Sequence, residues 1–352
     1  METTTTSRPG RRARRLLTLA PIALVVIIAA ACIPNPVPDL VPVRDTVYPR
    51  DFPDPSIVHD GTDYYAYGTN VWLYRTPLLH STDLVHWDLV GDALHQAGTW
   101  ASDDLGHTWA PAVIRLGGAY VEYYTAMEAA TGEMCVGRAT SAAAAGPFVD
   151  PSTAPLLCQR PLGGSIDPSP FVDADGSVTL VFKSDTNSGR GTGTPQPTAL
   201  WSLPLSADGL SVTGPAVELM DSSGGTDGFR WHSGLVEGPA MVAAGGHYWL
   251  FYSGMKSGWT DYGVGFASCD SPQGPCVDKT PDFPWATKTT STVGIGGESF
   301  FTDASGQLMM AFHALIDPKD PGAGRALHIE RVTMTDKGPT LGDPGPLSAH
   351  AQ

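Results

Sequence analysis

Short apolar stretches separated by turns rich in glycine and aspartate dominate the chain from residue 48 onward. One pattern returns five times: a short apolar strand, a Gly or Asp turn, and a second strand rich in aromatic and β-branched residues. This pattern is typical of β-hairpins. No helical periodicity competes with it, and we predict an all-β fold. The five segments begin near Asp54, Pro111, Asp167, Glu237 and Glu298.

A further strand candidate follows each hairpin, for example residues 72–75 and 262–267. The repeating unit is therefore predicted to be a four-stranded sheet that recurs about every 60 residues. One such sheet cannot bury both of its faces, but radial stacking of five gives a five-bladed β-propeller whose innermost strands line a central channel. A β-sandwich is the structural alternative, although it does not predict a repeat of this length.

The first 31 residues have the pattern of an export signal. Four arginines between residues 11 and 15 precede an apolar run over residues 16–31 that ends in three alanines, which predicts a signal peptide at 1–31. A retained membrane anchor is the alternative, but the run is short for a bilayer and Pro21 interrupts it. We therefore expect an extracellular protein.

Cys32 follows the alanines directly, and this junction resembles that of a bacterial lipoprotein, in which the cysteine carries the lipid. The alternative is ordinary cleavage that leaves Cys32 as a free thiol and releases the protein. Proline-rich residues 32–47 predict a semi-extended tether, and residues 48–340 the propeller domain.

Charge and cysteine content narrow the possible partners. The net charge is −15, and it becomes −19 without residues 1–31, so nucleic acid is not an expected partner. Four cysteines remain after Cys32, and in an exported chain they predict two local disulfides, Cys135 with Cys158 and Cys269 with Cys276. A zinc site is the rival interpretation, but the usual Cys and His spacings are missing.

Three carboxylates, Asp54, Asp167 and Glu237, recur in one register of the repeat, each just before an innermost strand. In a propeller this places them together at the mouth of the channel. Converging carboxylates repel one another, so one is expected to hold a proton while another stays ionised. Inverting glycosidic cleavage needs such a pair, one group to activate water and one to protonate the leaving oxygen.

Four segments in register resemble the successive blade motifs of glycoside hydrolase family 43. They are Phe52-Pro53-Asp54-Pro55-Ser56, Trp109-Ala110-Pro111, Ser165-Ile166-Asp167-Pro168 and Val236-Glu237-Gly238-Pro239. The resemblance implies that Asp54 is the general base, Glu237 the general acid, and Asp167 the residue that tunes and orients the acid. It also implies hydrolysis of pentose-containing plant polysaccharides or oligosaccharides (arabinan, arabinoxylan, xylan), with exo α-L-arabinofuranosidase action favoured over endo-arabinanase or β-xylosidase.

Several further residues are substrate-binding candidates. Trp72, Trp109 and Trp231 offer flat surfaces for stacking on sugars, and Arg325 resembles an arginine of the family that contacts substrate. His232 and His313 are interpreted as structural histidines.

The family's Gly-x-Gly-His motif in blade five is altered here. Residues 294–298 read Gly-Ile-Gly-Gly-Glu, with glycine in place of the histidine that helps to hold calcium or water in the channel. We therefore expect no metal and no cofactor. Calcium held by Glu298 is the alternative, because carboxylate oxygens suit this ion.

Three rival functions fit the same scaffold. A fructan-active propeller enzyme would retain the anomeric configuration. A non-catalytic sugar-binding propeller, or one used for protein contacts, would need no poised acid. We expect a monomer with a polysaccharide or oligosaccharide substrate.

Overall fold

The computed structural model of the protein describes residues 46–190, 193–223, 230–289 and 292–342. The predicted signal peptide, Cys32 and nearly all of the proline-rich tether lie outside these ranges. Within the described residues, no helix combines the length and apolar character needed to cross a membrane.

Five sheets of mainly antiparallel strands form the blades of a β-propeller, as the repeat predicts. Blade 1 contains β1 (Ser56–Asp60), β2 (Asp63–Tyr67), β3 (Pro77–Ser81) and β4 (Asp88–Asp92). Blade 2 contains β5 (Leu94–Gln96), β6 (Thr108–Leu116), β7 (Ala119–Met127), β8 (Met134–Ser141) and β9 (Phe148–Val149). Blade 3 contains β10 (Ser165–Val172), β11 (Val178–Ser184), β12 (Ala199–Leu205) and β13 (Val217–Asp221). Blade 4 contains β14 (Val236–Ala244), β15 (His247–Gly254), β16 (Gly263–Cys269) and β17 (Cys276–Asp278). Blade 5 contains β18 (Gly296–Thr302), β19 (Leu308–Leu315), β20 (Arg325–Thr335) and β21 (Gly338–Leu341).

Two details differ from the predicted repeat. Blade 2 has a fifth strand, because β5 pairs in parallel with β9. Residues 72–75, predicted as a strand, lie instead in a turn closed by the Val71–Tyr74 bridge. In the described part of the chain, four single turns of 3₁₀ helix lie between strands, at Leu105–His107, Arg160–Leu162, Thr186–Ser188 and Pro321–Ala323.

Burial falls from the middle of each blade outward. Every residue of β11 is buried, whereas the first three residues of the outer strand β4 are exposed. Blades stack face to face, so the middle strands need apolar side chains on both faces. Packing of Phe182 and Leu180 in blade 3 with Tyr123 and Val121 in blade 2 is one such contact.

Blade 5 closes the ring against the segment that precedes blade 1. The N–H of Phe52 donates to the carbonyl of Arg325 at 2.7 Å, and the N–H of Val47 donates to that of Leu327 at 3.0 Å. Ile57 and Phe301 share a hydrophobic cluster across the same junction. The start of the propeller is thus held directly against β20.

A left-handed backbone conformation marks the same place in all five blades. The residues and their φ values are Asp54 (50°), Ala110 (41°), Asp167 (55°), Gly238 (57°) and Gly297 (59°). In blades 2 to 5 a register shift of the innermost strand coincides with this residue. Such a conformation costs a non-glycine residue about 1–3 kcal/mol, and it is found mostly where a site requires it.

Both predicted disulfides are confirmed. Cys135 is bonded to Cys158, and Cys269 to Cys276. The first ties β8 to the segment that leads into β10, the strand that carries Asp167.

Glu122 gives the fold a pH-dependent stability. It is fully buried in β7, accepts a 2.7 Å hydrogen bond from Thr76 Oγ1, and burial raises its pKa to about 8. Between its ordinary value and pH 8, the folded protein keeps a proton that the unfolded chain releases, so stability falls as pH rises.

We expect Glu122→Gln to remove about 1.4 kcal/mol of this loss per pH unit between pH 5 and 8. Urea unfolding at pH 5, 6, 7 and 8 measures the slope. If the free energy of unfolding fell with pH at the same slope in both proteins, the prediction would be wrong.

Candidate active site

The five innermost strands surround a cavity of about 420 Å³. Its walls include one residue from each blade in turn: Asp54, Trp109, Asp167, Glu237 and Glu298. The volume lies in the range of small-molecule ligand sites. The structure thus brings together the three carboxylates that the sequence singled out.

Asp54 is held as a carboxylate. Arg325 Nη1 lies 3.3 Å from its Oδ1, and the Thr69 hydroxyl donates to its Oδ2 at 2.6 Å. Burial alone would raise the pKa of Asp54, but the charge of Arg325 and these contacts hold it well below its ordinary value. Asp54 is therefore able to accept a proton at neutral pH.

His313 supports Asp54 as a neutral imidazole. The backbone N–H of Asp54 donates to His313 Nδ1 at 3.2 Å, and the same nitrogen lies 3.3 Å from Asp54 Oδ1. Burial lowers the pKa of His313, in agreement with a neutral ring. Its contact with Asp54 shows that this histidine, interpreted from sequence as structural only, belongs to the site.

Glu237 accepts a hydrogen bond on each carboxyl oxygen. Lys183 Nζ lies 3.0 Å from Oε2, and the Tyr262 hydroxyl donates to Oε1 at 3.0 Å. The side chain is 15% exposed, whereas that of Lys183 is 1% exposed. Glu237 therefore has a fixed orientation and retains access to the cavity.

Asp167 holds a proton more strongly than Asp54. Its Oδ2 accepts the N–H of Gly238 at 3.0 Å. Burial raises its pKa to about 7, against the charge of Lys183, and the negative charges of Glu237 and Asp54 add to the rise. One cavity thus contains carboxyl groups with opposite protonation tendencies, the arrangement that acid–base catalysis uses.

Glu298 is a fourth carboxyl group in the wall. The Ser253 hydroxyl donates to its Oε2 at 2.5 Å, and burial raises its pKa to about 8. Its protonated form therefore predominates at pH 7. Among the described residues, no group of three or more His, Cys, Asp or Glu side chains is arranged to hold a metal ion.

The structure corrects the alignment of the three carboxylates in the repeat. Asp54 and Asp167 are the left-handed residues of their blades, but in blade 4 that residue is Gly238, so Glu237 stands one position earlier. Glu298 stands one position later than Gly297, where the other blades have proline. All three side chains nevertheless line the same cavity.

A ring of hydrogen bonds links each blade to the next. In every blade the N–H of the left-handed residue donates to a side chain of the preceding blade. The donor–acceptor pairs are Ala110 to Thr69 Oγ1 (2.7 Å), Asp167 to Thr125 Oγ1 (3.2 Å), Gly238 to Asp167 Oδ2 (3.0 Å), Gly297 to Ser253 Oγ (2.9 Å) and Asp54 to His313 Nδ1 (3.2 Å).

Comparison with known proteins decides the family. The sequence profile described as Glycosyl hydrolases family 43 matches residues 43–339. The chain belongs to this family. The resemblance of the four blade motifs to family 43 is thereby confirmed.

Individual relatives of the chain are distant in sequence. The chain is 25% identical over 278 residues to an arabinan endo-1,5-alpha-L-arabinosidase B of Emericella nidulans, covering 64% of this chain and 65% of that protein. It is 33% identical over 134 residues to a xylan 1,3-beta-xylosidase of a Vibrio species, covering 37% of this chain and 24% of that protein. The chain thus spans less than two thirds of the length of either relative.

The fold is that of a solved family 43 structure. A thermostable family-43 glycoside hydrolase superposes with a TM-score of 0.72 over 84% of this chain and 94% of that one, at 23% identity. At this identity the likeness shows the fold.

The predicted binding residues of this family 43 chain fall into two groups. Trp109 and Arg325 line the cavity. Trp72 does not; its side chain is 89% exposed on the turn after β2. Trp231 does not either, because it stacks on Tyr252 and its indole N–H donates to the carbonyl of Thr280 at 2.6 Å. The structure therefore places Trp231 in the packing of blade 4 rather than with the substrate-binding candidates.

Several polar residues that contact the carboxylates, or accept the backbone N–H groups of the ring, were not assigned to the site from the sequence. They share one place in the fold, at the end of the second strand or just after it, and a polar residue directly after an aromatic one is their sequence signal in four of five blades. The five residues are Thr69, Thr125, Lys183, Ser253 and His313.

Proposed function

We propose that this protein is an inverting glycosidase that hydrolyses O-glycosidic bonds in pentose-containing polysaccharides or oligosaccharides such as arabinan, arabinoxylan and xylan. The observation that carries the proposal is the opposed state of the carboxyl groups in one cavity. Asp54 is kept ionised by Arg325, whereas burial favours a proton on Asp167. Membership of family 43 and relatives named for arabinan and xylan support the substrate class.

In the proposed reaction, Asp54 removes a proton from water as the water oxygen attacks the anomeric carbon. The bond from that carbon to the leaving oxygen breaks, and Glu237 gives the leaving oxygen a proton. Asp167 keeps that proton available beside Glu237. Trp109 is proposed to stack on a sugar ring, and Arg325 to contact substrate while it holds Asp54.

We further propose exo action with release of α-L-arabinofuranosyl units. The support is the limited size of the cavity, about 420 Å³, and its walls on all five blades. The products from linear arabino-oligosaccharides test this: free arabinose from the first minutes is expected, whereas a ladder of shorter oligosaccharides would indicate endo action.

We also propose that the mature protein acts outside the cytoplasm. The charged and apolar N-terminal run supports export, and the two disulfides suit an oxidising compartment. Lipid attachment at Cys32 and a monomeric state stay predictions.

The glycosidase proposal is tested with aryl α-L-arabinofuranosides, aryl β-xylosides, arabinan and arabinoxylan. Glu237→Gln is expected to lower the rate of polysaccharide hydrolysis by about 10²–10⁴-fold, because it removes the proposed acid. The control is Glu218→Gln, the same change on the exposed strand β13, which is expected to leave the rate unchanged. Proton NMR of the first-formed sugar product gives its anomeric configuration, and inversion is expected.

Three outcomes would refute the proposal. Retention of configuration would indicate the fructan-type double displacement. Sugar binding without hydrolysis, equal in wild type and Glu237→Gln, would indicate a binding propeller. Neither binding nor hydrolysis would favour a propeller used for protein contacts.

A further inference from the structure

Lys183 is the exception in the ring of hydrogen bonds between blades, because it accepts none of these bonds. It lies on the second strand of blade 3, opposite Ile166 on the innermost strand, which is the residue just before the left-handed one. The residues at the equivalent position in blades 2, 4 and 5 are Thr125, Ser253 and His313. At this position the other blades have a side chain that accepts the N–H of the next blade. A lysine ammonium group has no acceptor.

The consequence is visible in the next blade. The N–H of Gly238, which would bond to the residue at position 183, donates instead to Asp167 Oδ2 at 3.0 Å. Lys183 turns toward Glu237, with Nζ 3.0 Å from Oε2. One residue therefore places a cation beside Glu237 and gives Asp167 the task that a hydroxyl or imidazole has elsewhere.

Burial of the Lys183 ammonium group is unfavourable and must be compensated by its surroundings. The Lys183 side chain is 1% exposed, whereas the other lysines in the described part of the chain are exposed. A buried, unpaired ammonium group would be strongly unfavourable, so Lys183 stays charged only because carboxylates face it. The ring position itself requires no charge, since threonine or serine fills it in blades 1, 2 and 4.

Lys183 is the cation that faces the carboxyl pair formed by Asp167 and Glu237, because the other charged groups nearby have partners of their own. Asp54 is matched by Arg325 at 3.3 Å, and Asp185 is paired with Arg190 at 3.1 Å, although the charge of Lys183 also acts on Asp185. Burial favours the neutral forms of the other ionisable neighbours, because it raises the pKa values of Glu298 and Tyr262 and lowers that of His313.

We propose that Lys183 is a positioning residue whose charge lets the Asp167–Glu237 pair hold a single transferable proton, and which stabilises Glu237 after that proton has moved to the leaving oxygen. This inference rests on the proposed glycosidase function. Before transfer, the three groups carry one acid proton and no net charge. Afterwards they carry two carboxylates and one ammonium, and the proton lost by water is on Asp54. A protonated carboxyl still accepts hydrogen bonds, so Lys183 and Tyr262 orient Glu237 in both states.

The test is the pH dependence of kcat/KM for Lys183→Met, which keeps the volume but removes the charge. Activity needs the protonated pair and is lost as pH rises through its titration. Loss of a cation within 4–6 Å makes the pair harder to ionise, so the alkaline limb is expected to move up by about one to three pH units. At pH 6, kcat is expected to fall at least about 10-fold on substrates with poor leaving groups, and less on activated aryl glycosides that need no acid.

Two further variants keep the test decisive. Lys183→Thr restores the residue type of blades 1 and 2 and is expected to fold and to show the same shifted limb. Lys183→Arg keeps the charge and is expected to leave the limb at its wild-type pH even if kcat falls. Lys319→Met, at an exposed lysine, is the control. An unmoved limb in the Met and Thr variants, with equal losses on both substrate types, would overturn the proposal and make Lys183 structural.

Carboxyl ¹³C NMR titration of the same variants separates this inference from the proposed function. The pair is expected to release its proton at higher pH in Lys183→Met than in wild type, whether or not substrate is present. A shifted titration in a protein inactive on every pentoside would refute the glycosidase proposal alone. An unchanged titration in an active enzyme would refute the role of Lys183 alone.

Discussion

Asp54→Asn is expected to lower kcat by about 10²–10⁴-fold on every substrate, activated aryl glycosides included. Asparagine keeps the shape and still accepts the Thr69 hydroxyl, but it cannot take a proton from water. No leaving group bypasses this step, whereas a good leaving group bypasses the acid. The rate is measured as kcat at pH 6–7, with the melting temperature recorded to exclude unfolding.

Azide provides the decisive control for Asp54. In Asp54→Ala, the space left by the carboxylate admits an external anion, and azide is expected to restore turnover and give a glycosyl azide of inverted configuration. Asp88→Asn, the same change on the exposed outer strand of blade 1, is expected to have no effect. An Asp54→Asn enzyme with wild-type kcat would remove Asp54 from the mechanism.

Gly297→Ala is expected to lower kcat by at least about 100-fold, because a displacement of reacting groups by about 1 Å has an effect of that size. A Cβ atom at this residue would lie 2.5 Å from His313 Nδ1 and 2.6 Å from Asp54 Oδ1. Either Asp54 or its imidazole support must therefore move. The φ of +59° adds about 1–2 kcal/mol of strain for alanine.

The matched control is Gly306→Ala in the same blade. Gly306 also has a positive φ, +82°, but a Cβ there would meet nothing within 4 Å. Both variants are expected to lose stability in urea unfolding, and only Gly297→Ala is expected to lose kcat. Equal losses of activity would mean that backbone strain, not contact with Asp54, is responsible.

The architecture was predictable because it repeats. Five hairpins with apolar strands and Gly or Asp turns leave few ways to bury their faces, and the local cysteine spacings indicated the disulfides. Position within the repeat was predicted less well: Glu237 lies one residue before the place assigned to it. The error arose because the sequence shows carboxylates near Pro but not the left-handed residue, which in blade 4 is Gly238.

The supporting residues were harder to predict than the carboxylates. His313 and Arg325 reach Asp54 across 259 and 271 positions of sequence, and nothing local links them. Trp231 looked suitable for sugar stacking, but its indole N–H is bonded inside blade 4. Its role depends on the orientation of its side chain, which neither the composition nor the spacing of the sequence predicts.

Neighbouring blades are joined by the chain everywhere except between blade 5 and blade 1, and Asp54, the proposed base, lies at this junction. The N–H of Arg325 donates to Asp51 Oδ1 at 2.8 Å, and the Ser299 hydroxyl donates to the carbonyl of Pro55 at 2.7 Å, so both edges of the junction frame Asp54. A brief parting of this seam would separate Asp54 from Arg325 and His313 while the other blades stay intact. Heat inactivation should therefore begin as a reversible displacement of Asp54, and amide exchange at the seam should report it before the propeller unfolds.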